Sequence, residues 1–180
     1  MNTTNNKDCL VITASGEDQV GLVEKLTSHI LETGCNIEQS RMGVLGGQFA
    51  LIMRVTGPWS ALAKLESQIG GIGEQLGLSV IHRRTQERQR EEAMVPYQVE
   101  VVSLDHPGIV HRLSQFFSRS GINIEELETD TYRAPHTGTP MFSVRMTVGI
   151  PAHMHIATLR DDFLDYCDEL NLDATLEPTR

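Results

Sequence analysis

The sequence predicts an α+β fold in which two copies of one small βαββαβ module follow each other along the chain. The segment 18–23 (DQVGLV) recurs as the segment 105–110 (DHPGIV), at an offset of 87 positions. At the same offset, the segment 34–38 (GCNIE) recurs as 121–125 (GINIE). Two matches in one register indicate an internal structural repeat. The order of elements in each copy implies an antiparallel sheet with both helices on one face.

The first helix and strand of copy one follow from hydrophobic spacing. The apolar run Leu10 to Thr13 is typical of a short strand. Val23, Leu26 and Ile30 are spaced as on one face of a helix, and Asp18 stands where an N-cap residue is expected.

The rest of copy one is predicted by its glycines and by alternation. Gly34 occupies the position of a helix C-cap glycine, and Gly46-Gly47 is a hairpin signal. Alternating apolar residues over 49–55 then predict a half-buried strand. A second helix follows, which three glycines at 70, 71 and 73 should weaken, and a strand over 78–81 closes the unit.

Copy two repeats this order. We expect a strand over 97–104, then a helix that Asp105 caps and that carries Pro107 in its first turn. The residues expected to face inward from this copy share helical or alternating spacing: Val110, Leu113, Phe117, Phe142, Val144, Met146, Val148, Ile156, Leu159, Phe163, Cys167 and Leu170. Here the register of the repeat slips by six, which extra turn residues between Arg133 and Pro140 explain.

The domain boundaries follow from the repeat. We predict a first domain over 8–83, a charged linker over 84–95 and a second domain over 96–178. Each copy is of marginal size for a domain that folds alone. We therefore expect the copies to pair, either within one chain or between chains as a homo-oligomer.

Composition excludes several classes of protein. The formal net charge is −9, whereas a protein that binds DNA phosphates needs a basic face. No signal peptide or membrane span is predicted, so we expect a cytoplasmic protein. Three widely spaced cysteines predict small buried thiols, and His136, His153 and His155 lack the spacing of a metal site. We expect no metal and no cofactor.

The paired motifs resemble the ACT domain, which has the ferredoxin-like fold. The resemblance rests on Asp-x-x-Gly at the first strand–helix turn and on Gly-x-Asn-Ile at the second strand, each present twice. Length and tandem organisation resemble the bacterial family of the glycine cleavage system transcriptional repressor. That resemblance implies an amino-acid-responsive regulator that represses transcription through a DNA-binding activator protein and not by reading DNA. It also implies glycine as the ligand. A sensor of another amino acid with a different protein target is the alternative.

The candidate ligand site combines a helix N-terminus with a small turn. Backbone N–H groups at a helix start suit the carboxylate of an amino acid, and Gly21 and Gly108 leave each turn without a Cβ. The predicted ligand-binding residues are Asp105, His106, Pro107, Gly108, Asn123 and Ile124 in copy two, with Asp18, Gly21, Asn36 and Ile37 in copy one. Asn36 and Asn123 should lie near the same end of the sheet once copies pair, with amide groups suited to either end of the ligand.

Structural roles remain open for the same residues. Asp18 and Asp105 have the chemistry of helix N-caps, the glycines also permit close packing, and the asparagines also suit a tight turn. Two other functions compete. An enzyme needs a nucleophile with a base, paired carboxylates or a metal frame, and the sequence offers none in a convincing place, so we expect no enzyme. An RNA-binding module shares the βαββαβ order, but the segment 47–53 (GQFALIM) lacks the basic and aromatic residues that stack bases.

The charge yields a first prediction. The purified protein alone should not bind DNA sequence-specifically, because a chain of net charge −9 repels phosphates. Gel retardation with a promoter fragment measures this, and tight, specific retardation by the protein alone contradicts it.

Overall fold

The computed structural model describes residues 8–86 and 93–179. It divides the chain into two compact units, 1–89 and 90–180, and each is described by itself below. In the predicted linker, β-strand structure extends to Gln86 and resumes at Met94. Residues 87–92 of that linker and the polar residues 1–7 lie outside the described range.

Both units have the βαββαβ order, so the predicted fold class is confirmed. The first unit contains β1 (Asp8–Glu17), α1 (Leu22–Glu32), β2 (Asn36–Leu45), β3 (Gln48–Thr56), α2 (Trp59–Gln75) and β4 (Leu78–Gln86). The second contains β5 (Met94–Leu104), α3 (Ile109–Arg119), β6 (Asn123–Arg133), β7 (Pro140–Pro151), α4 (Ile156–Glu169) and β8 (Asp173–Pro178).

Each unit forms one antiparallel sheet with a matching strand order. The orders are β2-β3-β1-β4 and β6-β7-β5-β8, so the second strand of each unit lies at an edge. A β-bulge interrupts this edge strand at the same place in both units, between Ile37 and Gln39 and between Ile124 and Glu126. The hairpin between β2 and β3 turns on Gly46 and Gly47, whose φ values of 58° and 78° fit the predicted tight turn.

Alternation along the strands divides each sheet into a buried and an open face. In the first unit the buried face packs against α1 and α2 in a core that includes Leu10, Ile12, Phe49 and Leu65. The core of the second unit includes Val99, Val101, Leu113, Phe117 and Phe163. The remaining strand residues form the open face, which no helix of the same unit covers.

The inward face of the first helix in each unit differs from the prediction by one residue. Leu22, Leu26 and Ile30 are the buried residues of α1, whereas Val23 is 41% exposed. In α3, Ile109 is buried and Val110 is only half-buried. The stripe Leu22-Leu26-Ile30 has a spacing of four, which fits a helix as well as the predicted spacing did.

All three cysteines are free and buried, as the interpretation of small buried thiols predicts. Cys167 lies in the core of the second unit. Burial, with a smaller contribution from the charge of Asp168, raises the pKa of the Cys167 thiol to about 12. Because the thiolate is the reactive form, this thiol is inert at neutral pH. An unfolded chain ionises the same thiol at lower pH, so this group stabilises the fold below about pH 9 and progressively less above it.

The helix α2 continues through all three of its glycines, although they were expected to weaken it. Gly73 is buried, and a Cβ there would collide with Val80 Cγ2 and come within 3.0 Å of Leu78 O. Gly70 and Gly71 have nothing within 4 Å of a Cβ. Gly73 therefore allows α2 to lie directly on β4, and packing of this apolar helix outweighs the low propensity of glycine.

A matched pair of substitutions tests this role. Gly73→Ala should lower the free energy of unfolding by about 1–3 kcal/mol, because its Cβ forces α2 away from Val80. Gly70→Ala, on the exposed side of the helix, should raise it by up to about 1 kcal/mol. Urea unfolding followed by circular dichroism measures both. Equal shifts in the same direction would contradict a packing role for Gly73.

Candidate functional site

The turn between β5 and α3 ends on a glycine in the left-handed conformation. Gly108 has φ +97° and is the N-cap of α3, and no side chain accepts a hydrogen bond at this cap. The prediction that Asp105 caps the helix is therefore wrong, and Pro107 precedes the helix instead of lying in its first turn. The cause is the length of the turn: Asp105 lies four residues before the first helical residue, too far for its side chain to reach the first-turn amides.

The first amide groups of α3 are directed out of the helix end. The helical bonding pattern begins at Arg112, whose N–H donates to Gly108 O at 3.0 Å. Among the described residues, none accepts a hydrogen bond from the N–H groups of Ile109, Val110 or His111. Three donors and the positive end of the helix dipole thus meet at one point, which is the arrangement that binds a carboxylate.

An open cleft of about 540 Å³ lies at this turn. Residues 105–111 line it together with Phe142 of β7. The backbone N–H of Asp105 donates to Pro140 O at 3.1 Å, which ties the turn to the start of β7. The Asp105 carboxylate is exposed and makes no hydrogen bond with the described residues. The cleft therefore offers a carboxylate acceptor and a set of amide donors close together.

The corresponding turn of the first unit has the same backbone but different chemistry. Gly21 has φ +90° and is the N-cap of α1, so the expected cap at Asp18 is also wrong, for the same reason. The N–H of Leu22 is already bonded to Gln19 O at 3.4 Å. Glu24 lies in the first turn of α1. The first turn of α3 has no acidic residue, and His111 occupies the position equivalent to Glu24.

The predicted asparagines lie at the other end of their units. Asn123 begins β6 and pairs with Gly149, whereas the turn at Asp105 lies by Met141, the partner of Leu104 at the end of β5. The 11 residues of α3 separate the two ends, a distance of about 16 Å along the helix. Asn36 stands in the same relation to Asp18 and Gly21, since it begins β2 after α1.

Asn123 and Ile124 contribute to a different cleft from the one at Gly108. This cleft, of about 370 Å³, is lined by Ser114, Ser118 and residues 121–124. Ile124 and Ile37 are half-buried and also pack against the cores of their units. Within each unit, therefore, Asp105–Gly108 come together, as do Asp18 and Gly21, but neither group meets its asparagine.

Sequence reasoning missed His111 and Phe142 as lining residues of the first cleft. His111 follows the motif by three residues, which places it in the first turn of the helix once the helix is known to begin at Ile109. The signal was present in the repeat itself, because the offset of 87 aligns His111 with an acidic residue, Glu24. Phe142 was predicted only as a core residue, and it does pack against the core of the second unit.

Three observations bear on the other functions considered from the sequence. His155 caps α4 by accepting a hydrogen bond from Thr158 N at 3.3 Å, and no cluster of three metal-binding side chains occurs in the described ranges 8–86 and 93–179. Phe49, the aromatic residue of the segment considered for RNA stacking, is buried in the core of the first unit. None of the described helices is long and apolar enough to cross a membrane.

Comparison with known proteins identifies the first unit and finds relatives of nearly the whole chain. Residues 8–82 match the family model of the ACT domain. The glycine cleavage system transcriptional repressors of Escherichia coli strain K12 and of Shigella flexneri are each 33% identical over 174 residues, which is 97% of this chain and 92% of each relative.

Solved structures agree with this comparison. An unknown protein from Galdieria sulphuraria has a TM-score of 0.79 and 27% identity, over 97% of this chain and 99% of its own. A protein provisionally assigned as a glycine cleavage system transcriptional repressor has a TM-score of 0.70 and 25% identity, over 97% and 98% of the two chains.

Proposed function

Because this chain belongs to the regulatory family of the glycine cleavage system transcriptional repressor, we propose that it represses transcription in response to a small amino acid. Glycine is the first candidate ligand. The proposed route of repression is contact with a DNA-binding activator protein in the cytoplasm, without direct DNA binding and without catalysis. The observation that carries the proposal is the cleft at the N-terminus of α3.

The proposed ligand pose uses both charges of a free amino acid. The carboxylate accepts hydrogen bonds from the N–H groups of Ile109, Val110 and His111, where the helix dipole is positive. The ammonium group faces the Asp105 carboxylate, which has no hydrogen-bond partner among the described residues. Gly108 leaves the backbone accessible because it carries no side chain, and a Cβ at φ +97° would be strained.

The second unit is the better binding unit on three grounds. Glu24 would repel a ligand carboxylate at α1, whereas His111 at the same position in α3 attracts one when protonated and donates a hydrogen bond when neutral. In α1 the N–H of Leu22 is already occupied by Gln19 O. Pro107 also restricts the turn of the second unit, where the first has the fully exposed Val20.

The role of Asn123 in ligand binding stays a prediction. A glycine ligand bound at the turn of Gly108 does not reach Asn123 of the same unit, since α3 separates them. Any contribution of Asn123, Ile124, Asn36 or Ile37 to that ligand must come from outside the unit that holds it. Loss of affinity in Asn123→Ala, with the fold intact, would be evidence for such a composite site.

The charge of the chain supports action through a partner. A net charge of −9 opposes direct contact with DNA, and a repressor without DNA contact must act through a protein that has it. A sensor of another amino acid with a different protein target is the alternative, favoured by the openness of the cleft, which excludes no small side chain sterically.

Substitution at His111 tests the proposed site. His111→Glu should weaken glycine binding at least tenfold, because it removes a donor and places a second negative charge beside the ligand carboxylate. A glutamate in the first turn is favourable for the helix dipole, so the fold should keep its stability. Isothermal titration calorimetry against the twenty amino acids, with thermal melting of each variant, measures both effects.

Two variants serve as controls for this test. Glu24→His should leave glycine binding by the second unit unchanged and add affinity, if any, at the first. Gly77→Val carries the strain of a left-handed glycine, φ +70°, at the turn before β4 of the first unit, which contributes no lining residue to the cleft, and it should not change the affinity. Unchanged binding in His111→Glu would move the site away from α3, and absence of binding by the parent at millimolar concentrations of every amino acid would end the sensor proposal.

The partner is tested separately. Glycine should weaken the complex between this protein and the activator of the glycine cleavage genes, because those genes are needed when glycine is abundant. Biolayer interferometry with immobilised activator measures the affinity with and without glycine, and His111→Glu should abolish the difference. A complex that forms equally well with and without glycine contradicts the proposed response, and failure of any complex to form contradicts the proposed partner.

A further inference from the structure

The open sheet faces of the two units carry opposite charge at equivalent positions. Strand pairing places Thr13 beside Ile52 and Ile81, and Ile52 beside Arg41, in one row across the first sheet. The equivalent row of the second sheet contains Glu100, Arg145, Thr175 and Glu128. An arginine at the edge of one face is thus replaced by a glutamate at the edge of the other.

A neighbouring row repeats the exchange. In the first unit Val11 pairs with Arg83 and with Arg54. In the second unit Gln98 stands in place of Val11 and pairs with Glu177 and with Thr147. Because alternate residues of a strand share a face, Arg83 and Glu177 lie at equivalent points of the two open faces.

The whole faces differ in the same direction. On the open face of the first unit, the arginines Arg41, Arg54 and Arg83 outnumber the acids Glu17 and Glu38. On the open face of the second unit the acids are Glu100, Glu125, Glu126, Glu128, Asp130, Asp173 and Glu177, and the basic residue is Arg145. Arg145 is already engaged by Glu100 at 3.4 Å and by Glu128 at 3.6 Å. On the first face Arg54 is likewise engaged by Glu38 at 2.7 Å, so the excess of basic charge there comes from Arg41 and Arg83.

Apolar side chains accompany the arginines on the first face. Ile52 is 48% exposed and Ile81 is 70% exposed, and both belong to the row that contains Arg41. Exposed apolar residues ringed by charge are typical of a surface that another protein covers. The acidic face of the second unit carries the exposed apolar residues Leu104 and Tyr132 at one end.

We infer that the basic open face of the first unit docks on the acidic open face of the second unit of another copy of this chain. The occupant is assigned by charge: a second copy supplies an acidic sheet face of the same size and shape as the basic one it covers. A sheet face of this width has an area of about 450 Å², and a reciprocal contact in a two-fold dimer buries four such faces, or about 1,800 Å² in total, the size of a stable dimer interface.

Charge reversal on one face at a time tests the contact. The double variant Arg41→Glu/Arg83→Glu makes both faces acidic, and Glu128→Arg/Asp130→Arg reduces the acidic charge of the second face and adds basic charge to it; all four positions are exposed. Sedimentation velocity of the full-length chain should show that each double variant alone dimerises at least tenfold more weakly than the parent. Rising salt should weaken the parent dimer, since charge–charge attraction is screened.

The decisive measurement mixes the two variants. The mixture should recover heterodimers, because a dimer of unlike chains keeps one contact in which both faces are unaltered. In its other contact the introduced glutamates of one chain face the introduced arginines of its partner. An attraction confined to one chain cannot be restored by mixing, so a mixture that stays monomeric overturns the proposal. A parent that is monomeric at 100 µM protein, a concentration of about 10⁻⁴ M, also overturns it.

Matched controls separate the faces from net charge. Lys64→Glu/Arg119→Glu and Asp161→Lys/Asp165→Lys make the same charge changes at exposed helix positions and should leave dimerisation unchanged. Equal loss of the dimer in these controls overturns the proposal. Circular dichroism checks the fold of each chain, and if a reversal variant does not fold, the neutral pairs Arg41→Gln/Arg83→Gln and Glu128→Gln/Asp130→Asn replace it with the same expected weakening.

Discussion

The backbone of Gly108, at φ +97°, decides where α3 begins and what its first amide groups can contact. A residue with a Cβ is strained at this torsion, so the chain can make the turn cheaply only with glycine. The turn leads the chain into the helix without a side-chain cap. The N–H groups of the first turn of α3 therefore stay available to bind a ligand. Packing of Ile109, Leu113 and Phe117 in the core then holds the helix end in place. The same torsion at Gly21 builds the first unit.

The fold could be predicted from sequence because the repeat supplied each element twice. The first residue of each helix could not be predicted, since an Asp followed by Gly at this spacing has the signature of an N-cap. Only the backbone reveals that Asp105 lies too far before the helix to cap it. The inward face of α1 was missed by one residue because Leu22 and Val23 are both apolar, and periodicity does not choose between adjacent apolar residues. The effect of the glycines on α2 was mispredicted because helix propensity describes only the local sequence. The close contact between Gly73 and Val80 arises from the packing of α2 on β4, which the local sequence does not show.

The candidate site was predicted in part for a similar reason. Asp105, His106, Pro107 and Gly108 are adjacent in sequence, so their proximity needed no knowledge of topology. Asn123 is tied to them only through the fold, and strand pairing places it at the opposite end of the sheet. The differences between the units lie in side chains on a shared backbone, as with Glu24 and His111. Two copies with one architecture can therefore differ in what they bind.

The bulge in each edge strand has a consequence for solubility. β2 and β6 are 10 and 11 residues long and lie at the rims of their sheets, where a straight strand would offer a row of unpaired backbone groups to any other extended chain. The extra residue, Glu38 or Glu125, breaks the regular spacing of those groups and increases the local twist. In β6 the carboxylates of Glu126, Glu128 and Asp130 then repel an identical strand aligned beside them. These edge strands are thus poorly suited to pairing with a strand of another chain, which is the step by which a fibril grows.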